Sequence, residues 1–516
     1  MNLRPCPRLP SAQLFSDTAE FEPMEFTTSL RQRLAADSTL ALGIKVISLP
    51  LAYLTSLAMA RFWGAQGLGT YSLAVYLVTI LAVVCRLGLD TGMLRFGAKL
   101  KAAGQAQDLP GLFWQGLAQV LGLSTLVALA LFLARSWLAQ VFHAPALPEV
   151  LSPVSLALPI LVAAAFCGES LRSLGGVRWV VTQQDFLTPL SLLLLVAIWA
   201  WVGQDSAKSP AALGLAYLLS GALGLGFLAI FLRSRLPGSL DRAGGVRLGE
   251  LLRYSWPLYL SVLLLAAFGA VDSLVLGLFT TPQEVAYYEA AGRSALLVSL
   301  PLMAINAAVP PLFAELHHQG RLLELERLAR ASTRWMYYVA LPLALVLVAL
   351  SPEVLGLFGV GFVNARWALL VLVLAQLVNV ACGSVGFLLA MTGHQATLTR
   401  TLALGSGLGL PLMVAGAALW GLTGLAVAKG VWLVGINLLM SLGVWRCLSF
   451  KVYATGVGWA TIYGILGLGL FWLARPYLGP WVAAALGGLA YLLLITRTLY
   501  QEFANLRLLT LREASR

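Results

Sequence analysis

Long apolar stretches, separated by short polar connections, follow one another along almost the whole chain. Each stretch is close to the roughly 20 residues that an α-helix needs to cross the hydrocarbon core of a bilayer. The pattern predicts an all-α polytopic membrane protein with about fourteen transmembrane helices. The predicted spans, numbered one to fourteen, are 38–61, 69–90, 111–135, 150–174, 182–203, 211–233, 252–278, 285–310, 333–351, 365–391, 396–418, 421–445, 455–474 and 479–497.

The composition indicates the same class. The 516-residue chain is 59% hydrophobic and only 11% charged, with a mean hydropathy of +0.85, which excludes an ordinary soluble domain. A net charge of +12 would suggest a nucleic-acid partner if the protein were soluble. In a membrane protein the same excess indicates cytoplasmic loops rich in Lys and Arg, so no nucleic-acid partner is predicted.

The basic residues gather in every second connection between spans. With the N-terminus taken as cytoplasmic, 25 of the 34 Lys and Arg residues lie in or beside the two tails and the even-numbered connections. Only five lie in the odd-numbered connections. The positive-inside rule therefore predicts a multi-pass protein with both termini in the cytoplasm.

Landmark residues recur at a shift of 217 positions along the chain. The aligned pairs are Phe62 with Phe279, Gln66 with Gln283, Tyr71 with Tyr288, Phe96 with Phe313 and Gly176 with Gly393. This shift corresponds to six helices, an even number, so both halves enter the membrane in the same direction. Parallel repeats of this kind hold their substrate at the interface between them.

The repeat divides the chain into two parallel six-helix lobes and a C-terminal helix pair. The predicted units are a cytoplasmic tail at 1–37, an N-lobe at 38–233 containing helices one to six, a basic cytoplasmic linker at 234–251, a C-lobe at 252–445 containing helices seven to twelve, and helices thirteen and fourteen with a cytoplasmic tail at 446–516.

Four basic residues lie well inside the predicted spans: Lys45, Arg86, Arg293 and Lys429. A cation in hydrocarbon costs at least about 2.5–3.5 kcal/mol, so these residues suggest a cavity for an anionic ligand. The alternative is snorkelling, in which a long side chain carries its charge to the membrane interface. That alternative weighs most for Arg86, which lies near a span end and four residues before Asp90. We predict a cationic lumen that binds substrate through all four.

Two acidic residues lie at comparable depth, Asp272 in span seven and Glu289 in span eight. Glu289 precedes Arg293 by four residues, so these two side chains can neutralise each other on one helix. Asp272 has no partner nearby in the sequence. It either pairs with Lys429 or Arg293 across helices, or binds a proton or sodium ion that couples transport. Both acids are therefore candidates for ion coupling or gating.

Aromatic residues near span ends are typical of an interfacial belt. Tyr71, Tyr287 and Tyr288 could also stack on sugar rings, and the belt is the prediction we adopt for them. The four histidines and five cysteines form no ligand motif, so no metal site is predicted.

Three segments carry a resemblance to a known family. Two stand in the first hairpin, Gly64-Ala-Gln-Gly-Leu-Gly-Thr-Tyr-Ser-Leu-Ala74 and Arg86-Leu-Gly-Leu-Asp-Thr-Gly-Met-Leu-Arg-Phe96, and a weaker one is Leu388-Leu-Ala-Met-Thr-Gly-His-Gln395. With the spans, they resemble the Wzx-type polysaccharide or O-antigen flippases of the multidrug/oligosaccharidyl-lipid/polysaccharide exporter superfamily. The resemblance covers about residues 30–445 and does not indicate which glycan is carried.

The resemblance implies a V-shaped, two-lobed bundle that works by alternating access. It implies that a polyprenyl-pyrophosphate-linked oligosaccharide moves from the cytoplasmic to the periplasmic leaflet of a bacterial inner membrane, for lipopolysaccharide or other surface polysaccharide synthesis. The implied partners are the lipid-linked oligosaccharide, membrane lipids and, as further candidates, a polysaccharide polymerase and a chain-length regulator. No cofactor is implied, with proton or sodium coupling left open.

Two details of the resemblance stay open. Fourteen spans are similar to the lipid II flippase relative, where the extra helix pair makes a groove for the lipid tail. Met24 lies just before the part of the chain that resembles the family, so the start is either Met1 or Met24.

Other functions compete with the flippase. The sequence does not support an enzymatic function, because the chain has no G-x-x-x-x-G-K-[ST] phosphate loop, no G-x-S-x-G elbow and no large extramembrane loop. A cation-coupled multidrug antiporter of the same superfamily would line its cavity with carboxylates and aromatics. A non-transporting scaffold of the polysaccharide assembly machinery would have its buried charges facing lipid or sealed in packing.

Overall fold

A bilayer contains no water to satisfy backbone N–H and C=O groups, and an α-helix pairs them within one segment. The structure, a computed structural model, describes residues 28–102, 109–202, 209–235, 259, 271–452 and 457–496. Its regular secondary structure is helical, and no β-strand occurs in these residues. The predicted all-α class is confirmed.

Helix α5 lies at the centre of the described part of the N-lobe and packs against α1, α3 and α8. Its elements are α1 (Thr28–Arg86), α2 (Leu89–Ala102), α3 (Leu109–Leu133), α4 (Arg135–Val141), α5 (Leu147–Ser173), α6 (Val177–Val181), a π-helical turn (Thr182–Leu187), α7 (Thr188–Val202) and α8 (Ala211–Arg233).

In the C-lobe, α15 lies at the centre and packs against α10, α13 and α17. The elements are α9 (271–279), α10 (Pro282–Leu296), a 3₁₀ turn (Leu297–Ser299), α11 (Leu300–Ala308), α12 (Pro310–His318), α13 (Leu322–Ala349), α14 (Ser351–Gly356), a second 3₁₀ turn (Val360–Ala365), α15 (Arg366–Cys382), α16 (Val385–Met391) and α17 (Gln395–Leu448).

Two of the helices are interrupted and supply two spans each. In α1, Gly64 takes φ +69° and ψ −176°, a backbone conformation that is open to glycine and strained for other residues. In α17 the interruption falls at Trp420 and Gly421, where Gly421 takes φ +55°. These breaks separate spans one and two, and spans eleven and twelve, close to the predicted boundaries.

The span count agrees with the sequence prediction. Nine helical segments of the described residues are long and apolar enough to cross a membrane, and α18 (Val457–Leu478) and α19 (Pro480–Thr496) follow them. If both halves of α1 and of α17 are counted, with α9 as the described end of span seven, the chain is compatible with fourteen transmembrane helices.

The helix pair α18 and α19 packs on the C-lobe. The Tyr491 hydroxyl of α19 donates a hydrogen bond to the Tyr338 carbonyl of α13 at 2.9 Å. Between the two helices, Gly467 and Gly487 meet backbone to backbone, since a Cβ on either would lie within 2.7 Å of the other's carbonyl oxygen. The pair is therefore attached to the second lobe, although the sequence repeat does not include it.

Several sequence predictions fall outside the described residues. They concern the tails at 1–27 and 497–516, most of the linker at 234–251, and most of span seven before residue 271. The side chain of Lys45 also falls outside them, although its backbone belongs to α1.

Candidate functional site

A cavity of about 450 Å³ lies between the two lobes. Both halves of α1 line it from the N-lobe, and α9, α10, α15 and the second half of α17 line it from the C-lobe. The cavity occupies the interface at which the sequence repeat predicts a substrate. Its charged lining residues are Asp272, Glu289, Arg293 and Lys429.

The first charged pair in the cavity connects the lobes. Arg293 donates through Nε to Glu289 Oε2 at 3.0 Å, one turn along α10, as the four-residue spacing allows. Its Nη1 also donates to the Ala52 carbonyl of α1 at 3.2 Å. Glu289 Oε1 accepts from the Tyr76 hydroxyl of α1 at 2.6 Å and from the Ser273 hydroxyl of α9 at 2.9 Å. Each member of this pair therefore touches the N-lobe.

The recorded contacts of the second charged pair lie within the described part of the C-lobe. Lys429 Nζ lies 3.1 Å from Asp272 Oδ2, and the same oxygen accepts from the Tyr288 hydroxyl at 2.9 Å. Asp272 Oδ1 accepts the backbone N–H of Ser273 at 3.0 Å. Of the two basic partners that the sequence left open for Asp272, the structure pairs it with Lys429.

Two glycines in the first half of α17 help to set the position of Lys429. A Cβ on Gly409 would overlap the indole of Trp432, and Trp432 Nε1 donates to the Gly405 carbonyl at 3.0 Å. The indole therefore lies directly on the glycine stripe, and Lys429 Nζ sits 5.1 Å from the centre of its ring. The two halves of α17 approach closely at Gly405-x-x-x-Gly409, a spacing of small residues that is typical of tight helix packing in membranes.

The formal charges of the described cavity lining cancel, because two cations face two carboxylates. Asp272 and Glu289 are 9% and 6% exposed, while the Arg293 side chain retains 30% exposure. A guanidinium carries five N–H donors in a planar fork that matches carboxylate and phosphate oxygens. The cavity can therefore offer donors to an anion, in competition with its own carboxylates.

Arg86 lies apart from this site. Its Nη1 contacts Asp90 Oδ2 at 2.9 Å, and its Nε donates to the Ala82 carbonyl at 3.2 Å, both within one turn of chain. Arg86 is not among the described residues that line the cavity. The sequence analysis grouped Arg86 with Arg293 and Lys429. In the structure, only Arg293 and Lys429 lie together in the described cavity lining.

The lobes close tightly at the end of the bundle that holds Gly64, which we term the Gly64 end. Gly69 of α1 lies against the Pro282 backbone at the start of α10, so closely that a Cβ would overlap the Pro282 carbonyl. Nearby, Arg61 Nε donates to the Leu357 carbonyl. These contacts seal the lobes together on one side of the cavity.

An aromatic contact and a hydrogen bond extend the connection between lobes. The rings of Tyr53 and Phe358 meet edge to face, with centroids 5.2 Å apart, between the cavity and the Gly64 end. Near Arg86, at the other end, the Tyr259 hydroxyl donates to the Val84 carbonyl at 3.1 Å. The cavity thus lies between inter-lobe contacts at both ends of the bundle.

Sequence reasoning missed the hydroxyl groups of the site. Tyr71 and Tyr288 were expected in an interfacial belt, and this is wrong: they are 5% and 4% exposed, inside the bundle. Tyr288 and Tyr76 donate to the buried carboxylates instead. The repeat could have indicated their burial, because Tyr71 and Tyr288 occupy equivalent positions in the two halves.

Comparison with protein families gives two matches. The family model described as "Polysaccharide biosynthesis protein" matches residues 34–317, more than half of the chain. The model of the MatE family matches residues 257–415. A comparison with curated proteins finds no match.

Solved structures share the fold at low sequence identity. The lipid II flippase MurJ, in an inward closed conformation, superimposes with a TM-score of 0.72 at 12% identity, covering 90% of this chain and 100% of that one. An inward-facing multidrug resistance MATE family transporter superimposes with a TM-score of 0.63 at 15% identity, covering 80% of this chain and 98% of that one. The Vibrio cholerae MATE transporter VcmN in its bent form superimposes with a TM-score of 0.51 at 18% identity, covering 83% of this chain and 99% of that one.

Proposed function

Because this chain belongs to the polysaccharide biosynthesis protein family, and with it to the multidrug/oligosaccharidyl-lipid/polysaccharide exporter superfamily, we propose that it is a lipid-linked oligosaccharide flippase. It moves a polyprenyl-pyrophosphate-linked oligosaccharide from the cytoplasmic to the periplasmic leaflet for surface polysaccharide synthesis. Its partners are this lipid and the surrounding membrane lipids, with a polymerase and a chain-length regulator as further candidates.

One observation carries the proposal: Arg293 and Lys429 both line a cavity between the lobes. A pyrophosphate with attached sugars needs cationic donors and enough space, and the cavity offers both. Arg binds phosphate oxygens bidentately, whereas Lys acts as a compact point charge. Each cation is already shared with a carboxylate, which favours binding weak enough for release on the other side.

Alternating access fits the distribution of inter-lobe contacts. The cavity is lined by both lobes, so movement of one lobe against the other changes its exposure. The positive-inside distribution of Lys and Arg puts the Gly64 end on the periplasmic side. In this orientation the seal at Gly69 and Pro282 must open to release the headgroup into the periplasm. The proposal includes a bacterial inner membrane as the location, with both termini in the cytoplasm.

Ion coupling belongs to this proposal. Asp272 and Glu289 are buried carboxylates, and each is paired with a cation of the cavity lining. Buried ionisable groups inside a membrane bundle mark proton or ion pathways. We assign proton coupling to this pair of carboxylates, with sodium as the ion to be compared in transport assays. No organic cofactor enters the proposal.

Deletion of the gene identifies the cargo most directly. Cells that lack the protein should accumulate a polyprenyl-pyrophosphate oligosaccharide on the cytoplasmic side and lose the corresponding surface polysaccharide. Mass spectrometry of the lipid extract then reads the sugar composition. Normal surface polysaccharide with no accumulated lipid-linked sugar would contradict the flippase function.

Substitution of the two cavity cations tests the site. Arg293→Ala and Lys429→Ala should lower surface polysaccharide without a matching fall in membrane abundance. Arg400→Ala, an exposed Arg remote from the described cavity lining, is the matched control and should export normally. Full export by both cavity variants would favour a non-transporting scaffold.

A multidrug antiporter is the second candidate. The match of the MatE family model to residues 257–415 favours it, together with the carboxylates and tyrosines that line the cavity. In that case the deletion strain should become sensitive to cationic drugs while its surface polysaccharide stays intact. Drug susceptibility and polysaccharide staining of one deletion strain therefore separate the two functions.

A further inference from the structure

Glu289 holds a position that no other carboxylate of the described cavity lining shares. It accepts hydrogen bonds from Tyr76 of the N-lobe and Ser273 of the C-lobe, and it pairs with Arg293. The Arg293 guanidinium in turn donates to the Ala52 carbonyl of the N-lobe. Within the described cavity lining, the polar contacts between the lobes thus pass through one carboxylate and one guanidinium.

Asp272 is arranged differently, since its contacts with Tyr288, Ser273 and Lys429 all stay within the C-lobe. A change in the charge of Asp272 acts directly on these three contacts. A change at Glu289 alters the connection between lobes, because its partner Tyr76 lies on α1. Glu289 is therefore the carboxylate that can relate occupancy of the cavity to lobe movement.

An anion and Glu289 compete for the same guanidinium. Arg293 binds Glu289 through Nε, and a phosphate that engages the guanidinium fork along this edge takes the position of Oε2. Glu289, only 6% exposed, then stands without its adjacent cation. A buried carboxylate that loses its compensating charge is strongly disfavoured and takes up a proton instead.

The other titratable groups around Glu289 do not replace the lost cation. Tyr76 and Tyr288 are neutral donors, Asp272 is itself an acid, and Lys429 is 3.1 Å from Asp272, which it neutralises. Among the described residues, Arg293 is the cation recorded in contact with Glu289. None of these described groups supplies a second cation to Glu289, and proton uptake then keeps the site near electrical neutrality.

We propose that binding of a pyrophosphate group to Arg293 is accompanied by the uptake of one proton from solvent by Glu289. The proposal rests on the flippase function and adds to it the regulation of the site. The protonated carboxyl group loses its attraction to Arg293 and binds Tyr76 more weakly, because hydrogen bonds to an ionised acceptor are about twice as strong as neutral ones. Loading of the cavity therefore loosens the connection between lobes and permits the seal at the Gly64 end to open.

Calorimetric titration of the purified full-length protein with inorganic pyrophosphate tests this linkage. Titrations at one pH in two buffers of different ionisation enthalpy give the number of protons taken up per pyrophosphate bound. Glu289→Gln should still bind pyrophosphate, at least as tightly as the wild type, since no carboxylate competes for Arg293. Its proton uptake should be lower than the wild-type value by about one.

Two comparison variants make the result specific. Glu169→Gln should keep the wild-type proton uptake per pyrophosphate bound, because Glu169 pairs with Arg172 outside the described cavity lining. Arg293→Ala should lose pyrophosphate binding. Subtraction of the Glu289→Gln value removes the protons that pyrophosphate itself exchanges.

The possible outcomes separate the linkage from the function. If wild type and Glu289→Gln bind pyrophosphate with equal proton uptake, the linkage is wrong and the flippase proposal stands. If proton uptake falls by the same amount in Glu169→Gln, the loss is not specific to Glu289 and the assignment of the proton to Glu289 is wrong. Absence of pyrophosphate binding by the wild type would overturn the cavity as an anion site, and the linkage with it.

Discussion

Each charged residue of the described cavity lining is paired with a residue of opposite charge. The effect of a substitution on stability therefore depends on the partner that it leaves behind. Lys429 and Asp272 are both largely buried, with side chains 17% and 12% exposed. Removal of one member leaves the other as an uncompensated charge, which costs far more than loss of the whole pair. The same reasoning applies to Glu289 and Arg293.

Lys429→Met should destabilise the protein by about 3 kcal/mol, toward the lower end of the range for breaking a buried ion pair. The double variant Asp272→Asn with Lys429→Met should recover most of that loss, because no charge is left alone. Thermal unfolding in detergent measures both. A single variant as stable as the wild type, or a double variant no better than the single, would contradict the pairing.

The local part of this site was predictable from sequence, and the long-range part was not. Glu289 and Arg293 stand four residues apart on a helix, so their contact follows from helix geometry. Lys429 and Asp272 lie on helices far apart in the chain, and the sequence left two partners for Asp272. The hydroxyl of Tyr76 was not anticipated, because only folding brings the second half of α1 against α10.

The helices that carry the cavity residues pack closely at glycine positions. In α17, the two halves pack with the Trp432 indole directly on Gly409, and Lys429 stands over the indole. The spacing of Gly405 and Gly409 permits a close helix approach, but it does not determine which side chain of the facing helix packs there. Gly407 lies on the same half of α17, and a Cβ there would meet no atom within 4 Å, so this position is free of the constraint.

Gly409→Ala should lower both stability and transport, because the added methyl group displaces Trp432 and with it Lys429. Overpacking of this kind costs about 1–3 kcal/mol. Gly407→Ala is the matched control, since its Cβ meets open space, and it should behave as the wild type. Thermal unfolding and surface polysaccharide, measured side by side, give the comparison; equal behaviour of the two variants would refute the packing role.

The crossing of α1 and α10 at the Gly64 end depends on Gly69 in a similar way. Gly69→Ala should hold the lobes apart there, because its Cβ meets the Pro282 backbone and backbone cannot move aside as a side chain can. Gly122→Ala, with nothing within 4 Å of its Cβ, is the control.

The expected readout for Gly69→Ala is faster labelling of a cysteine at position 358 by a membrane-impermeant maleimide. Phe358 is fully buried, so Phe358→Cys should react slowly when the seal is intact. Unchanged labelling in the Gly69→Ala background would show that this crossing does not control closure.

At the scale of the whole molecule, hydropathy and charge alternation predicted the fourteen-helix class correctly. The repeat predicted a substrate site between lobes, and a cavity is found there. What the sequence could not give is the charge balance of that cavity. Four basic residues suggested a cationic lumen, whereas the described lining is neutral, because its cations and carboxylates come from different helices that meet only in the folded protein.

The flippase account therefore depends on whether the cavity cations act on the lipid-linked sugar itself. The purified protein can be reconstituted into liposomes with the polyprenyl-pyrophosphate oligosaccharide recovered from deletion cells. An impermeant glycosidase outside then modifies only the molecules exposed on the outer leaflet. Wild-type protein should render nearly all of the lipid accessible, whereas Arg293→Ala liposomes should stop near the fraction initially outside, as protein-free liposomes do. Equal accessibility with wild type and Arg293→Ala, or none above protein-free liposomes with the wild type, would contradict the account.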